Sequence, residues 1–418
     1  MSAAASILML TPQVPYPPRQ GTALRNWGLL KGLSEHHSVS LLTFASPDQS
    51  TVPDAPLTDR TARIKILGQP TRSTGDRLQT MFLTGKPDLT QRLVSPAFTQ
   101  ALERWLHAHE FDWIMAEGLE MAPYLDLLPA GARTGVIFDD HNCEYVLQRR
   151  AAQTTGSDPG PVNWAKARAR AAYSAIQWRR LRRYEAAVCR KARIVIAVSE
   201  QDAAALRAIE PSLAPLVIPN GIDVRAYAGF DKAAELVQPA FVFTGTMDFR
   251  PNVDGVLWFV DEVWPQVRAA LPGATFYIVG RHPHARLQRL RSAPGVVITG
   301  GVPETQPYIR AAAVYVVPLL VGGGTRLKLL ESTAMSKAIV ATRLAAEGFI
   351  EPEAAMVLAD TPTAFAEACI ALAGDPAARE AWGHRAQTFA EGYDWDVLLP
   401  ALLAKLTTKA QRTQINPT

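Results

Sequence analysis

The stretch Val321-Gly-Gly-Gly-Thr-Arg-Leu-Lys-Leu-Leu-Glu331 runs three glycines into a helix whose first turn carries Arg326 and Lys328. A helix dipole is positive at that end, so two cations there cost stability unless an anion lies beside them. Glycines let the backbone approach a ligand closely, and the unpaired N–H groups of a helix start point at it. Glu331 follows Lys328 by three residues, which puts both side chains on one helix face. The arrangement suits a ligand with a diphosphate at one end and hydroxyls within reach of a carboxylate, as in a nucleotide sugar. A glycine turn leading into an ordinary amphipathic helix with solvated cations fits the same spacing. The rest of the chain has to decide between the two.

Outward from that stretch, short apolar runs alternate with helical patterns. Strands are expected at 7–10, 39–44, 64–67, 113–116, 135–138 and 194–198, then at 241–244, 275–279, 296–298, 314–317 and 339–342. Periodic helical segments such as 22–33, 97–109, 253–270 and 326–335 lie between them, and 46–61 reads as a surface loop. Continuous Val/Ile-rich strands joined by helices predict buried parallel sheets, here an α/β protein of two Rossmann-like, doubly wound units. At 418 residues the chain exceeds one ordinary core and fits two domains of about 200 residues each. Asn220-Gly221 marks a tight turn followed by a polar stretch, so the boundary is placed with domain one at 1–222 and domain two at 223–392. In such sheets ligands sit beyond the carboxyl ends of the strands.

Composition narrows the class. Cys143, Cys189 and Cys369 are scattered and odd in number, which excludes a disulfide framework or a zinc spacing and suits a reducing compartment. The first residues show no basic leader, and no window approaches the ~20 apolar residues of a membrane span, so a cytoplasmic location is expected. Between Pro161 and Arg193 ten Lys or Arg residues face one acid, Glu185, making the segment +9 in a chain of +4. Trp178, Leu181, Tyr184 and Val188 recur there at helical spacing, an apolar stripe beside a basic face. Such a helix packs on its own domain with its charges solvated, or touches an anionic membrane or a lipid-diphosphate. No recognition motif accompanies the charge, so nucleic acid is not an expected partner.

Several separated stretches resemble the GT-B-fold retaining glycosyltransferases of family 4: Val217-Ile-Pro-Asn-Gly-Ile-Asp223, Phe243–Asp254, Phe276–Arg281, Gly322–Glu331 and Ile339–Thr342. Ala197-Val-Ser199 and Asp140-His-Asn-Cys-Glu144 add to the likeness, whose order and spacing cover most of residues 7–400. The resemblance implies an acceptor-binding first domain, a nucleotide-sugar-binding second domain, and a C-terminal helix at 393–408 packing back on the first. It implies that Glu331 accepts from the nucleotide ribose, while Arg326, Lys328 and the backbone of Gly322, Gly323, Gly324 and Thr325 hold the diphosphate. That would stabilise the leaving group electrostatically without a metal or other cofactor. Gly245 and Arg281 are expected near the donor phosphates, and Gly21 matches the glycine loop after strand one. Arg25 lies one turn further on, on the acceptor or phosphate side, as does Asn142.

His141 matches the active-site histidine near the transferred sugar, and also reads as a hydrogen-bonded histidine at a strand end. Glu117, Glu120 and Glu144 are candidate acceptor-side carboxylates, or plain surface acids. Asp139-Asp140 is an adjacent acidic pair lacking partner ligands, so no metal is expected. One departure stands out: Gly323 occupies the place of the first Glu in the family's Glu-x7-Glu motif, which leaves the sugar contacts open.

The expected reaction is hexosyl-type transfer from a nucleoside diphosphate sugar, with retention, to a glycan or a polyprenyl-diphosphate-linked acceptor. A bacterial exopolysaccharide or cell-envelope pathway is the setting the resemblance implies, at the inner face of the cytoplasmic membrane. A non-catalytic nucleotide- or glycan-binding protein on the same scaffold, or a nucleotide-sugar isomerase, are the alternatives.

Overall fold

The computed structural model describes residues 4–18, 21–47, 49–73, 75, 85–128, 133–154, 164–321 and 326–406, with side chains left aside at 150–154 and 164–172. The donor-loop residues Gly322, Gly323, Gly324 and Thr325 therefore lie outside the described residues. Contacts divide the chain into two compact units, Met1–Pro219 with Leu399–Thr418, and Asn220–Leu398.

The first unit holds a seven-stranded sheet: β1 Ser6–Thr11, β2 Ser38–Ala45, β3 Arg63–Gly68, β4 Trp113–Glu117, β5 Gly135–Asp140, β6 Ile194–Ala197 and β7 Leu216–Val217. Their spatial order is β3-β2-β1-β4-β5-β6-β7, with every pairing parallel. The strands β1, β4 and β5 are buried almost throughout, as unbroken apolar runs covered on both faces demand. Order reverses between β1 and β4, so the carboxyl ends of these neighbours form the crevice where such sheets take ligands.

The second unit repeats the scheme with six parallel strands: β8 Ala240–Thr244, β9 Thr275–Val279, β10 Val296–Gly300, β11 Val314–Val317, β12 Ile339–Ala341 and β13 Val357–Leu358. Their order is β10-β9-β8-β11-β12-β13, which puts its reversal between β8 and β11. The helix Leu327–Ala334, which carries Lys328 and Glu331, is the next helix in the chain after β11 among the described residues.

All eleven expected strands form. Two more, β7 and β13, are two residues each and too short to show a period. The helix expected over 253–270 is broken in three: Arg250–Trp258, a widened π turn Phe259–Val263, and Trp264–Ala270. Pro265 explains the interruption, because its ring displaces the carbonyl four residues back and it offers no N–H. The stretch 46–61 is not simply loop: Ala55–Thr58 forms a helical turn that buries Leu57.

Past Leu398 the chain rejoins the first unit. Leu399, Leu402 and Leu406 are buried there at helical spacing, and the Leu399 side chain fills the space above Gly32. Trp395 instead lies against Gly221 in the second unit. No helix among the described residues is long and apolar enough to cross a membrane.

Candidate functional site

Each unit gathers its chemistry at the carboxyl edge of its sheet. In the second unit, Lys328 on the helix after β11 extends beneath the loop that follows β8. Its Nζ donates to Asn252 Oδ1 at 2.8 Å and lies 4.1 Å from the centroid of the Phe243 ring. Asn252 is tied down in turn, since its Nδ2 donates to the Thr246 carbonyl at 2.9 Å. Gly245 is required here: a Cβ on it would sit 2.7 Å from Asn252 Nδ2 and 2.9 Å from Lys328 Nζ.

Burial, then the neighbouring Arg326 charge, pull the Lys328 pKa down to about 7 despite Glu331. A buried ammonium beside a guanidinium is held at a cost that a bound anion removes. Glu331, on the same helix face, accepts from the Tyr227 hydroxyl at 3.0 Å. Burial pushes it up to about 6, opposed by Tyr227 and Lys328. Arg281 follows β9, where its carbonyl accepts from Met247 N at 2.8 Å and so ties this turn to the β8 loop. Sequence reasoning missed Asn252 and Tyr227. Nothing in their spacing ties them to Lys328 or Glu331.

The first unit builds its cluster around His141, just past β5. His141 Nε2 is 2.9 Å from Glu117 Oε2 at the end of β4 and 3.4 Å from Asp139 Oδ2. Asp139 also receives both arms of the Arg25 guanidinium, from Nε and Nη2 at 2.7 Å each. Arg25 Nη1 donates onward to the carbonyls of Ile218 and Pro219 at 3.1 and 3.2 Å. Arg25 is therefore a buried bracket rather than a side chain offered to an acceptor or phosphate. Gly21 opens its helix from an exposed position, and Asn142 is half-buried beside His141.

Burial opposes a charge on His141, but the hydrogen bonds and charges of Asp139 and Glu117 outweigh it and carry its pKa up to about 9. Burial also works against the Asp139 carboxylate, yet Arg25 and His141 hold it well below the usual range. Glu117 is pushed up to about 8 by burial and by Asp139, against the pull of His141. His141 is thus an imidazolium at neutral pH. It donates hydrogen bonds and stabilises negative charge, but has no lone pair to act as a general base. Gly118, at φ +80°, folds over its ring with room for a Cβ only 3.4 Å from Nδ1.

The acidic pair 139–140 does have partners, contrary to expectation, because successive strand residues point to opposite faces. Asp139 joins Glu117 and His141, while Asp140 joins Cys143 and Glu185, each set with ligand atoms within 4.8 Å. Most of their polar atoms are engaged by the protein, although Glu117 Oε1 in the first set and Asp140 Oδ2 in the second are buried with no hydrogen-bond partner. Arg25 covers both Asp139 oxygens, and Glu185 accepts from Glu144 N and Tyr145 N at 3.0 and 3.3 Å, capping the helix Glu144–Thr154. Burial, with Glu185 next, raises Asp140 well above the normal range, so it keeps its proton. Glu185, the lone acid of the basic segment, is the buried residue that steadies the loop behind His141.

With this geometry in place, comparison with known proteins is informative. The model for Glycosyltransferase Family 4 matches residues 20–226, and that for Glycosyl transferases group 1 matches 238–375. The chain belongs to the family 4, group 1 glycosyltransferases. Its paired doubly wound units are the GT-B fold, and solved structures agree. Sucrose-phosphate synthase from Thermosynechococcus elongatus superposes with a TM-score of 0.67 at 15% identity, over 99% of this chain and 100% of that one. The Anabaena protein Alr3699/HepE in complex with UDP gives 0.62 at 16% identity, over 96% and 100%. WaaG, a glycosyltransferase of lipopolysaccharide biosynthesis, gives 0.58 at 13%, over 95% and 98%. No curated protein matched in the sequence search.

The His141 cluster makes a direct prediction. Titrated by NMR, His141 is expected to change charge near pH 9, and in Glu117→Gln to move down toward the ordinary value of about 6.5. A wild-type midpoint already at the ordinary value would refute the cationic assignment.

Proposed function

We propose that this glycosyltransferase moves a hexosyl-type sugar from a nucleoside diphosphate sugar to a glycan or polyprenyl-diphosphate-linked acceptor, with retention at the anomeric carbon. The observation that carries the reading is Lys328: a buried ammonium, beside Arg326, under the Gly245 loop, with its pKa pulled to about 7. A diphosphate supplies the charge that this site lacks. As the sugar–phosphate bond breaks, negative charge grows on the leaving diphosphate, where Lys328 and Arg326 stabilise it in place of a metal. Glu331 takes the ribose hydroxyls, and Arg281 with the backbone at 322–325 completes the donor side. Departure and attack on the same face need no carboxylate nucleophile. His141, as a cationic donor in the first unit, stabilises hydroxyl oxygens of the sugars.

The transfer itself is checked by release of nucleoside diphosphate in EDTA, from a panel of sugar nucleotides and acceptors. Lys328→Ala is expected to lower turnover by about 10²–10³, the cost of one such donor. No release with any acceptor would favour the second reading, a non-catalytic nucleotide or glycan binder, which rests on Gly323 in place of the first motif acid.

A pH window follows from the two shifted groups. Above pH 7 the free Lys328 loses the proton that binding requires, so affinity falls by up to about tenfold per pH unit. Below pH 6 Glu331 gains one and accepts from hydroxyls only as a weaker, neutral carboxyl. Affinity for a sugar nucleotide, whose diphosphate does not titrate in this range, is expected to peak between these values. Lys328→Arg should remove the alkaline limb and Glu331→Gln the acid limb in calorimetric titrations. A flat profile in the wild type would contradict the assignment.

A setting in exopolysaccharide or cell-envelope synthesis, at the inner face of the cytoplasmic membrane, is proposed on the helix Trp164–Lys191. Its exposed Tyr173 and Ile176 adjoin exposed Arg179 and Arg183, while Leu181 and Val188 are buried in the first unit. Arg190 is paired with Glu210 and Lys191 with Asp126, so the available charge lies toward the middle of the helix. Sedimentation with anionic vesicles should weaken by about 1 kcal/mol for each charge removed in Arg179→Glu and Arg183→Glu. Equal binding to neutral vesicles would argue against this surface.

A further inference from the structure

The second acidic set of the first unit, behind His141, has no part in the transfer chemistry. An oxygen of Asp140, the sulfur of Cys143 and an oxygen of Glu185 lie within 4.8 Å of one another. None of the three residues is more than 1% exposed. We propose that these side chains bind a zinc ion, which staples the loop carrying His141 to the long helix Trp164–Lys191. The ion would be structural and confined to the first unit, with no role at the leaving diphosphate, so the proposal does not rest on the donor-side reading.

Two observations call for a cation here. Asp140 Oδ2 is buried and has no hydrogen-bond partner. A carboxylate oxygen in that position is held at a cost, and a bound ion removes it. The largest charge effects on Asp140 come from Glu185, Asp202, Glu144 and Asp139, all negative. The set around His141 differs, because the Arg25 guanidinium already grips Asp139 with two hydrogen bonds and the imidazolium repels a metal. Behind His141 the acids have only each other.

The ligand types select the ion. A thiolate with two carboxylates is a borderline donor set, suited to zinc and poorly suited to calcium or magnesium, which take oxygen ligands. With Zn–S of about 2.3 Å and Zn–O of about 2.1 Å, tetrahedral ligand atoms stand about 3.5 Å apart, so the set needs to close by little more than about 1 Å. Glu185 Oε1 accepts from Glu144 N and Oε2 from Tyr145 N, which orients the carboxylate and leaves each oxygen a second lone pair. Cys143 N donates to Asp202 Oδ1 at 3.3 Å, which anchors the loop beneath the thiol. Cys189, buried one turn beyond Glu185, senses the same two carboxylates and is the sulfur nearest in sequence to complete the four. Binding sends the protons of Cys143 and Asp140 to solvent. Scattered cysteines excluded a zinc spacing only while thiols alone were counted; here two ligands are carboxylates, and the fold brings 140, 143 and 185 together.

The test is elemental analysis of the full-length protein, purified without chelator from zinc-supplied cells, and of a second preparation made with cobalt in place of zinc. About one equivalent of zinc per chain is expected. The cobalt form should show a thiolate-to-cobalt charge-transfer band in the near ultraviolet. Asp140→Asn and Cys143→Ala should each lower the bound metal to about a tenth of wild type or less, with circular dichroism confirming their fold. Cys369→Ala, in the second unit, should leave both metal content and band unchanged. Wild-type protein without zinc, a cobalt form lacking the band, or metal retained in either folded variant of the set would each overturn the inference. The wild-type readouts keep it refutable even where a variant does not fold. Metal content is read without any substrate, so its outcome and that of the sugar-nucleotide assay are separate.

Discussion

The Arg25 guanidinium is buried with a carboxylate on one side and two peptide carbonyls on the other. Through it the helix after β1, the end of β5 and the last residues of the first unit's sheet are held in one register. Breaking such a pair by removing one partner costs about 3–5 kcal/mol, because the other charge is left buried. Its influence reaches further than stability. By keeping Asp139 ionised, Arg25 lets that carboxylate hold His141 in its protonated form, and Glu117 shares the task from β4. The character of the histidine, donor rather than base, is thus set three residues deep in the sheet edge.

The second unit reaches a comparable result by different means. Its cation is propped over the Phe243 ring by the Asn252 amide, with Arg326 and Glu331 as its charged neighbours. Where the first unit spends its buried charges on each other, the second leaves one poised for an incoming anion. Lys328 comes from the helix behind β11 yet ends beside the loop of β8, close to Gly245.

What could be read beforehand follows from range. Eleven strands were visible because each is a run of apolar residues, and Lys328 and Glu331 were visible as a pair because three residues on a helix bring side chains together. Glu117 and His141 lie 24 residues apart, and only the β4–β5 pairing joins them. Asp139 and Asp140 looked alike as neighbours, but the pleat sends one to the Arg25 salt bridge and the other to a buried place beside Cys143 and Glu185. Glu185 appeared to be a lone acid in a basic run; its role needed the amides of Glu144 and Tyr145, 41 and 40 residues away.

The placement of Leu399 has a consequence for how the protein is made. The second unit is an insertion within the first, so the layer over Gly32 is completed only after residues 220–398 have been synthesised. At about 5–20 residues per second, the ribosome needs about 10–40 s to cover that span. During that interval the first sheet is present but its covering leucines are not. A segment made after the second unit thus completes the packing of the unit made before it.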